Sequence, residues 1–288
     1  MNRTKRTRGK IRDEMSTQKT DKELAFLHDL FIAPDWGERF AELIDKHLKM
    51  PTGGKALYVG VGTGGHALAL YERAEGKVEF LCLDENEECL ELARAKATAT
   101  SDQAEFRRAT LDQLELSDNQ FEVVIGNASL ISRRRVRKVF AEMVRVCAPD
   151  GQIVFAVPTA SSFGEFFSIY WEAMHNLGLL DLESDVENLI LELPTVFDIE
   201  GMADDEGLTD VESWTTVEQF DFESGEQFLN SPLVSEFLMQ DWMSSVPEKS
   251  RAELTKEITR LINEERHEAE FALSVKATLL VGRKPHSH

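Results

Sequence analysis

The glycine-rich stretch from Tyr58 to Gly65, with the sequence YVGVGTGG, has the residue types and spacing best suited to ligand binding. Glycine adopts positive φ angles and lets a ligand approach the backbone, and a following helix offers free N–H groups. Asp84 lies twenty residues beyond Gly64, at the end of the next predicted strand, where a carboxylate can accept both hydroxyls of a ribose. Together these features predict a site for an adenosine-containing cofactor.

Three interpretations of this stretch remain open at this point. The spacing Gly60-x-Gly62-x-x-Gly65 also fits the dinucleotide fingerprint, which is typical of a nicotinamide or flavin oxidoreductase. A purely structural glycine turn beside a surface aspartate is the third interpretation. The elements around the stretch must therefore be considered.

Apolar strands and amphipathic helices alternate along the middle of the chain. Strands are predicted at 56–61, 78–83, 104–109, 121–126 and 151–157, and helices at 64–74, 86–98 and 134–147. Strands separated by helices of this length need crossover connections, which predict an α/β fold with a doubly wound, mostly parallel sheet. In such a sheet the glycine stretch and Asp84 come to the same edge.

Different patterns flank this region. In residues 21–52 we expect N-terminal helices, the second beginning with Asp35 as its N-cap and Glu38 at the third helical position. In residues 161–288 we expect a helical cap or substrate region together with the last two strands, at 211–222 and 270–283. The predicted organisation is a disordered basic tail at 1–20, helices at 21–52, a cofactor-binding core at 53–160 and this final region.

Composition and charge exclude several classes of function. The 288 residues carry 32 bases and 52 acids, a net charge of −20, and Val146–Glu248 holds 22 acids with no lysine or arginine. A nucleic acid would meet repulsion across such a surface.

The longest apolar runs fall far short of the roughly 18 residues that span a bilayer, so membrane insertion is not expected. Three cysteines without a CxxC pair, and no signal peptide, predict a reducing, cytoplasmic setting. No spacing of acids and histidines recommends a metal site.

Four motifs in order, covering roughly residues 55–158, resemble those of class I S-adenosylmethionine-dependent methyltransferases. They are Val59–Gly64, Leu83–Arg94, Leu114–Val124 and Arg145–Ile153. The chain is most similar to the small-molecule group that includes quinone- and biotin-pathway methyltransferases. The resemblance implies a seven-stranded Rossmann-like sheet with an antiparallel last strand. It also implies S-adenosylmethionine as the cofactor, in preference to a nicotinamide.

The resemblance also implies a set of cofactor-binding residues. They are Tyr58, Gly60, Gly62, Gly64, Asp84, Glu85, Thr110, Leu111 and Asn127. The glycines would hold the methionine part, Asp84 the ribose and Leu111 the adenine, while Asn127 would face the methyl group. Tyr58 and Thr110 stand where the family usually has acids that contact the cofactor's two amino groups. A neutral partner makes a weaker hydrogen bond than a carboxylate, so we expect modest cofactor affinity.

The implied reaction is methyl transfer to a small neutral or cationic organic acceptor. Phe167, Tyr170 and Trp171, on a predicted helix beyond the fifth strand, are candidates for the acceptor pocket, because aromatic walls bury apolar area and can hold a cation. Packing of the cap onto the sheet is the alternative role for these aromatics. The sequence names no catalytic base. A non-catalytic, cofactor-binding or regulatory subunit of the same fold is the alternative function.

Overall fold

A seven-stranded sheet forms the centre of the protein in the computed structural model, which describes residues 19–100, 102–265 and 270–286. The strands are β1 Gly54–Val59, β2 Val78–Asp84, β3 Glu105–Arg108, β4 Phe121–Asn127, β5 Cys147–Pro158, β6 Thr209–Phe222 and β7 Phe271–Arg283. Residues 1–18, which carry most of the basic tail expected from the sequence, lie outside the described residues.

Helices cover both faces of the sheet. They are α1 Asp21–Leu27, α2 Glu38–His47, α3 Gly65–Arg73, α4 Glu87–Thr100, α5 Val136–Val146, α6 Gly164–Asn176, α7 Glu183–Leu191, α8 Val196–Asp205, α9 Gly225–Asn230, α10 Met239–Trp242 and α11 Glu248–Glu265. Two π-helical segments, His28–Gly37 and Leu233–Leu238, precede α2 and α10. No helix within the described ranges has the length and apolar character needed to cross a membrane.

The strand order confirms the fold expected from the sequence. The sheet runs β3-β2-β1-β4-β5-β7-β6, with parallel pairing from β3 through to β5. The last strand of the chain, β7, is antiparallel to both of its neighbours. The order reverses between β1 and β4, and the crevice outside the carboxyl ends at such a point is where doubly wound sheets bind ligands.

Alternate residues of the strands build two separate cores. In β1, Ala56 and Tyr58 face a cluster that contains apolar residues of α2, α3, α4, α6 and α11. Leu57 and Val59 face the opposite cluster, with residues of α5 and α8. Successive side chains of a strand point to opposite faces of the sheet, so a strand covered on both faces contributes alternate residues to each core. Tyr58 therefore lies on the same face as the N-terminal helices.

The N-terminal helices differ from the expected arrangement. Helical backbone continues from Asp21 through to His47, and Asp35 is not an N-cap; it lies inside the π-helical segment and accepts a hydrogen bond from Arg39. The prediction of a helix start at Asp35 was wrong because a cap is worth only about 1 kcal/mol. Continuous helix instead buries Trp36 completely, where it packs on Phe40.

The C-terminal third contains helices that the sequence pattern did not predict as such. Residues 196–205 form α8, which begins with a capping box between Thr195 and Asp198. Within the region expected to form a helical cap, residues 233–242 form a π-helical segment followed by the short α10. The apolar residues of both regions are irregularly spaced, so packing against the sheet decides their conformation more than local periodicity does.

Candidate cofactor site

A cavity of about 660 Å³ opens at the carboxyl ends of β1, β2 and β4. The glycine loop 60–65 and the strand ends form its floor. The π-helical segment His28–Gly37, helix α2 and the side chain of Phe237 form the opposite wall, which we call the roof. The volume lies within the range of roughly 300–1,000 Å³ that is usual for small-molecule sites.

The glycine loop needs its glycines for reasons visible in the structure. Gly60 and Gly62 have φ angles of 74° and 56°, which other residues seldom adopt. A Cβ atom on Gly60 would lie 2.4 Å from the carbonyl oxygen of Asn127, and one on Gly62 would lie 2.7 Å from the ring of His28. The loop is fixed to β2 by hydrogen bonds from the backbone N–H groups of Gly60 and Val61 to the carbonyl oxygen of Leu83, at 2.9 and 3.1 Å.

Asp84 lies at the end of β2 with both carboxylate oxygens directed at backbone. Oδ2 accepts a hydrogen bond from Gly62 N at 2.8 Å and Oδ1 accepts one from Asn86 N at 3.0 Å. Burial raises the pKa of this carboxyl, and the backbone N–H groups act in the opposite direction. Each oxygen keeps a second lone pair, which leaves Asp84 able to accept from two hydroxyls in the cavity.

Glu85 shapes the neighbouring part of the cavity. It forms a bidentate ion pair with Arg135, at 2.8 and 2.5 Å, and accepts a hydrogen bond from the backbone N–H of Leu111 at 3.1 Å. Arg135 also pairs with Asp112 at 2.6 Å and lowers the pKa of both acids. Glu85 therefore places the apolar side chain of Leu111, which is buried, against the cavity.

Tyr58 belongs to a chain of polar contacts that crosses the cavity wall. Its hydroxyl lies 2.9 Å from Nδ1 of His66, and Nε2 of the same ring lies 2.9 Å from Oδ1 of Asp45. Arg73 pairs with the same carboxylate oxygen. Burial raises the pKa of Tyr58, so its hydroxyl is neutral. Partial burial acts to raise the pKa of Asp45, but the hydrogen bonds from His66 and Arg73 outweigh this effect. The pKa of Asp45 is therefore lowered.

The roof carries two ring nitrogens without partners. Nδ1 of His28 and Nε1 of Trp36 are buried and have no hydrogen-bond partner among residues 19–100, 102–265 and 270–286. Both residues line the cavity. Burial lowers the pKa of His28 to about 4, so its imidazole is neutral at physiological pH. Unpaired buried polar atoms at a cavity wall are suited to a polar ligand.

A cluster of charges ties the roof to the floor. Lys96 on α4 pairs with Asp29 of the π-helical segment, and its ammonium also donates to the carbonyl oxygen of Thr63 in the glycine loop at 3.0 Å. Hydrogen bonds from a charged donor are about twice as strong as neutral ones. The roof is thereby anchored directly to the loop that it covers.

Eight of the nine cofactor-binding residues expected from the sequence line this cavity. They are Tyr58, Gly60, Gly62, Gly64, Asp84, Glu85, Leu111 and Asn127. The ninth, Thr110, is exposed and is not among the lining residues. Its neighbour Leu111 turns into the cavity instead, because Glu85 holds the backbone N–H of that residue.

The aromatic residues expected in the acceptor pocket lie elsewhere, and that expectation needs correction. Phe167 and Tyr170 are buried in the core, and Trp171 is a partly buried residue packed against it. The Tyr170 hydroxyl donates to the carbonyl oxygen of Trp242 at 2.9 Å, and Phe167 makes an edge contact with the same indole. None of the three is among the residues that line the cavity. They pack helix α6 onto the sheet, which was the alternative role.

The roof itself was missed as a ligand-binding element. The sequence pattern of α2 contained a usable signal, because Glu38, Glu42 and Asp45 share one helix face at spacings of four and three. All three line the cavity.

Comparison with known proteins identifies the central region. Residues 56–151 match the family model described as a methyltransferase domain. The chain contains a class I S-adenosylmethionine-dependent methyltransferase domain. The match confirms the resemblance and S-adenosylmethionine as the cofactor of this domain. The matched residues include the glycine loop, Asp84, Leu111 and Asn127, and exclude the roof.

Curated relatives of the methyltransferase domain are similar over the same region. A demethylmenaquinone methyltransferase of Thermus thermophilus is 31% identical over 121 residues, which are 41% of this chain and 54% of that protein. A ubiquinone/menaquinone biosynthesis C-methyltransferase of Geotalea daltonii is 27% identical over 134 residues, 44% of this chain and 56% of that protein. The chain thus spans about half the length of the curated relatives that it matches.

Solved structures are similar over a larger part of the chain. The YcgJ protein of Bacillus subtilis has a TM-score of 0.54 and 18% identity, covering 87% of this chain and all of that one. Phosphoethanolamine N-methyltransferase 2 of Haemonchus contortus, in complex with phosphomonomethylethanolamine and S-adenosylhomocysteine, also has a TM-score of 0.54 and 18% identity, over 94% and 59% of the two chains. At these identities the likeness shows the fold.

The residues around the cavity fit S-adenosylmethionine in chemistry as well as in size. The lone pairs of Asp84 are suited to accept from the hydroxyls of a ribose, and buried Leu111 offers an apolar surface that would suit an adenine. The carboxylates of the roof suit the positive charges of the sulfonium and ammonium groups. The two cations lining the cavity, Lys96 and Arg135, are each paired with a carboxylate.

Proposed function

We propose that the protein transfers a methyl group from S-adenosylmethionine to a small organic acceptor that is neutral or cationic. The observation that carries the proposal is the cavity in which the glycine loop, Asp84, Leu111 and Asn127 converge under a roof of N-terminal helices. The names of the curated relatives, which refer to quinone biosynthesis, support an acceptor with an apolar body.

The strand order supports one orientation of the cofactor. With the ribose at Asp84 on β2 and the adenine at Leu111 beyond β3, the remaining part of the molecule would extend over β1 and towards β4. The methionine part would then lie on the glycine loop, with the methyl group near Asn127. The acceptor enters between this edge of the sheet and the roof, where His28, Trp36 and Phe237 meet.

Charge supports the stated acceptor class. Asp29, Glu38, Glu42 and Asp45 all line the cavity from the roof side. A multiply charged anion would lose favourable solvation and face these carboxylates, whereas a neutral or cationic molecule would not. Nδ1 of His28 could accept one hydrogen bond from a polar group of the acceptor, and Nε1 of Trp36 could donate one to it.

When bound, S-adenosylmethionine would supply a methyl group activated by its positively charged sulfur, and S-adenosylhomocysteine would be the leaving group. The residues of the chain contribute mainly by orienting the two reactants and excluding water, and such positioning can supply several kcal/mol of the barrier reduction. The roof carboxylates would stabilise a bound cation in its ground state, and they would stabilise a transition state less as its positive charge diminishes. These acids therefore contribute to binding more than to rate.

A panel of acceptors tests the function directly. Purified protein is incubated with S-adenosylmethionine and separate phenols, hydroquinones, amines and polyphosphorylated compounds, and S-adenosylhomocysteine is quantified by mass spectrometry. We expect turnover with neutral or cationic members of the panel, and loss of turnover in Asp84→Ala at subsaturating cofactor. A preferred acceptor that carries several negative charges, or a nucleic acid, would contradict the proposed acceptor class. Cofactor binding with no turnover across the panel would contradict the activity.

The cellular setting that we propose is the reducing cytoplasm. Cys82, Cys89 and Cys147 are free and buried, and burial raises the pKa of each thiol. Buried neutral thiols pack as small apolar side chains and are poor nucleophiles. They serve the core and take no part in the proposed reaction.

A further inference from the structure

A second, smaller cavity lies beside the first, at the carboxyl ends of β4 and β5. Its volume is about 50 Å³, and its walls include residues 157–158 at the end of β5 and the loop 128–131 that follows β4. Residues 129–131 and Phe237 line both cavities. The smaller cavity therefore adjoins the part of the larger one beyond Asn127, where the methyl group of the cofactor would lie.

The first polar group of the smaller cavity belongs to Trp242, in a lining that is otherwise mostly apolar. The indole is completely buried, and its Nε1 has no hydrogen-bond partner in the part of the chain that the structure describes. The ring stacks on Phe166, with centroids 4.1 Å apart, and makes edge contacts with Phe163 and Phe167. A buried N–H group without a partner costs about 1–3 kcal/mol, which an oxygen in the adjoining cavity would offset.

Arg133 contributes the second donor, and it differs from its neighbours in the chain. Arg134, Arg135 and Arg137 each pair with a carboxylate. Within the described ranges Arg133 forms no such pair, and its Nη1 donates to the backbone carbonyl oxygen of Leu189. A guanidinium has five N–H groups, so this one bond leaves donors for a ligand.

The charges of the smaller cavity are balanced, unlike those of the roof. Asp241 is the other charged residue in its lining, opposite in sign to Arg133. Burial lowers the pKa of Arg133, while the carboxylates of Glu192 and Asp241 act in the opposite direction, and a guanidinium stays charged in either case. A neutral oxygen can accept from Arg133 without introducing a charge, whereas a carboxylate would also face Asp241.

The volume limits what can enter. A water molecule occupies about 30 Å³ in the liquid, so a space of about 50 Å³ holds only a few non-hydrogen atoms, and a ring must remain in the larger cavity. We propose that the smaller cavity binds a hydroxyl or carbonyl oxygen on a ring of the methyl acceptor, through hydrogen bonds from Arg133 and Trp242. The ring itself packs on Phe237. The inference rests on the proposed function and narrows its acceptor to a neutral, oxygen-bearing ring.

The test compares phenol with toluene, two probes that share the ring and differ in a hydroxyl against a methyl group. Protein with ¹⁵N-labelled tryptophan is saturated with S-adenosylhomocysteine, and each probe is titrated while the indole N–H signals of the four tryptophans are followed by NMR. Trp242→Phe and Trp36→Phe identify the signals of the tryptophans that line the smaller and the larger cavity.

We expect phenol to bind the wild-type protein about tenfold more tightly than toluene and to move the Trp242 signal downfield. Arg133→Met should weaken phenol binding about tenfold and leave the affinities for toluene and S-adenosylhomocysteine within about twofold. Arg133→Lys keeps the charge but loses the planar set of donors, so it should give an intermediate affinity for phenol. The control is Arg134→Met, at a side chain that is 80% exposed, which should retain the wild-type affinities.

Three outcomes would overturn the inference. They are equal affinities of the wild-type protein for phenol and toluene, unaltered phenol affinity in folded Arg133→Met, and a shift of the Trp36 signal by phenol without a shift of the Trp242 signal. The comparison in the wild-type protein needs no variant and remains decisive should Arg133→Met unfold at a lower temperature. Failure of folded wild-type protein to bind S-adenosylhomocysteine would instead overturn the proposed function.

Discussion

At the scale of single residues, Asp84 has the largest expected effect on cofactor binding. Replacement by alanine removes two charged acceptors for the ribose hydroxyls and the partners of Gly62 N and Asn86 N. We expect S-adenosylmethionine and 5′-methylthioadenosine to lose about 1.5–3 kcal/mol of binding free energy each, as is usual for hydrogen bonds to a charged group. Calorimetry measures both. Unchanged affinity for either ligand in folded Asp84→Ala would exclude Asp84 as the ribose acceptor.

A second prediction concerns the glycine loop. Gly60→Ala would bring a Cβ atom to 2.4 Å from the carbonyl oxygen of Asn127, and it would also strain a φ of 74°. Gly76 has nearly the same φ, 70°, with no atom within 4 Å of a Cβ, so Gly76→Ala carries the strain alone. We expect each variant to lose about 1–2 kcal/mol of stability from strain. Gly60→Ala alone should weaken cofactor binding, by about tenfold. Equal affinity in the two variants would contradict this.

Thr110 shows where residue-level prediction from sequence fails. Its type and position resemble an adenine contact, yet it is exposed, and the cavity receives its neighbour. One backbone hydrogen bond, from Leu111 to Glu85, decides which of two adjacent residues turns inward. Glycine spacing and strand-end acids are local signals and could be predicted, whereas this bond joins residues 26 positions apart. We therefore expect Thr110→Asp to leave cofactor affinity within about twofold of wild type, a change of less than 0.5 kcal/mol.

At the scale of elements, the roof depends on Trp36. The indole is 1% exposed and lies against Phe40, Phe163 and Phe220, which belong to three different parts of the chain. Trp36→Ala should cost about 3–5 kcal/mol of unfolding free energy through the cavity that it leaves. Phe31 lies on the same π-helical segment and is 52% exposed, so Phe31→Ala should cost about 0.5 kcal/mol or less. Urea unfolding measures both values, and similar midpoints for the two variants would contradict the role of Trp36.

Most elements of the sheet region were predictable because their periodicity is strong and their glycines and prolines mark the turns. The helical conformation of the roof was predictable, but its position over the glycine loop was not. Its contact with the glycine loop depends on pairs such as Lys96 with Asp29, which no periodicity reveals. The aromatic helix α6 shows the opposite error. Its composition suits a ligand pocket and a core equally well, and only the position of Trp242 against it decides for the core.

At the scale of the whole molecule, the net charge of −20 should act on ligands before they bind. S-adenosylmethionine carries a net positive charge near pH 7, and the negative potential of the protein attracts it over a distance that salt shortens from about 20–30 Å to about 5 Å between roughly 0.02 and 0.3 M. We expect its association rate to fall several-fold over this range. The rate for uncharged 5′-methylthioadenosine should stay constant. Stopped-flow measurements compare the two, and equal salt dependence would contradict electrostatic attraction.

The way in which the roof is attached bears on the order of events during synthesis. Trp36 packs on Phe220 of β6, and Arg39 of α2 forms an ion pair with Glu218 of the same strand at 3.0 Å. Strand β6 is held in the sheet by β7, which follows it in the chain. The roof segment is synthesised before both strands, so it must wait for β7 before it can close over the glycine loop on a complete sheet. A nascent chain that ends before residue 271 would have the floor of the site without a settled roof, so tight capture of the cofactor should follow the synthesis of β7.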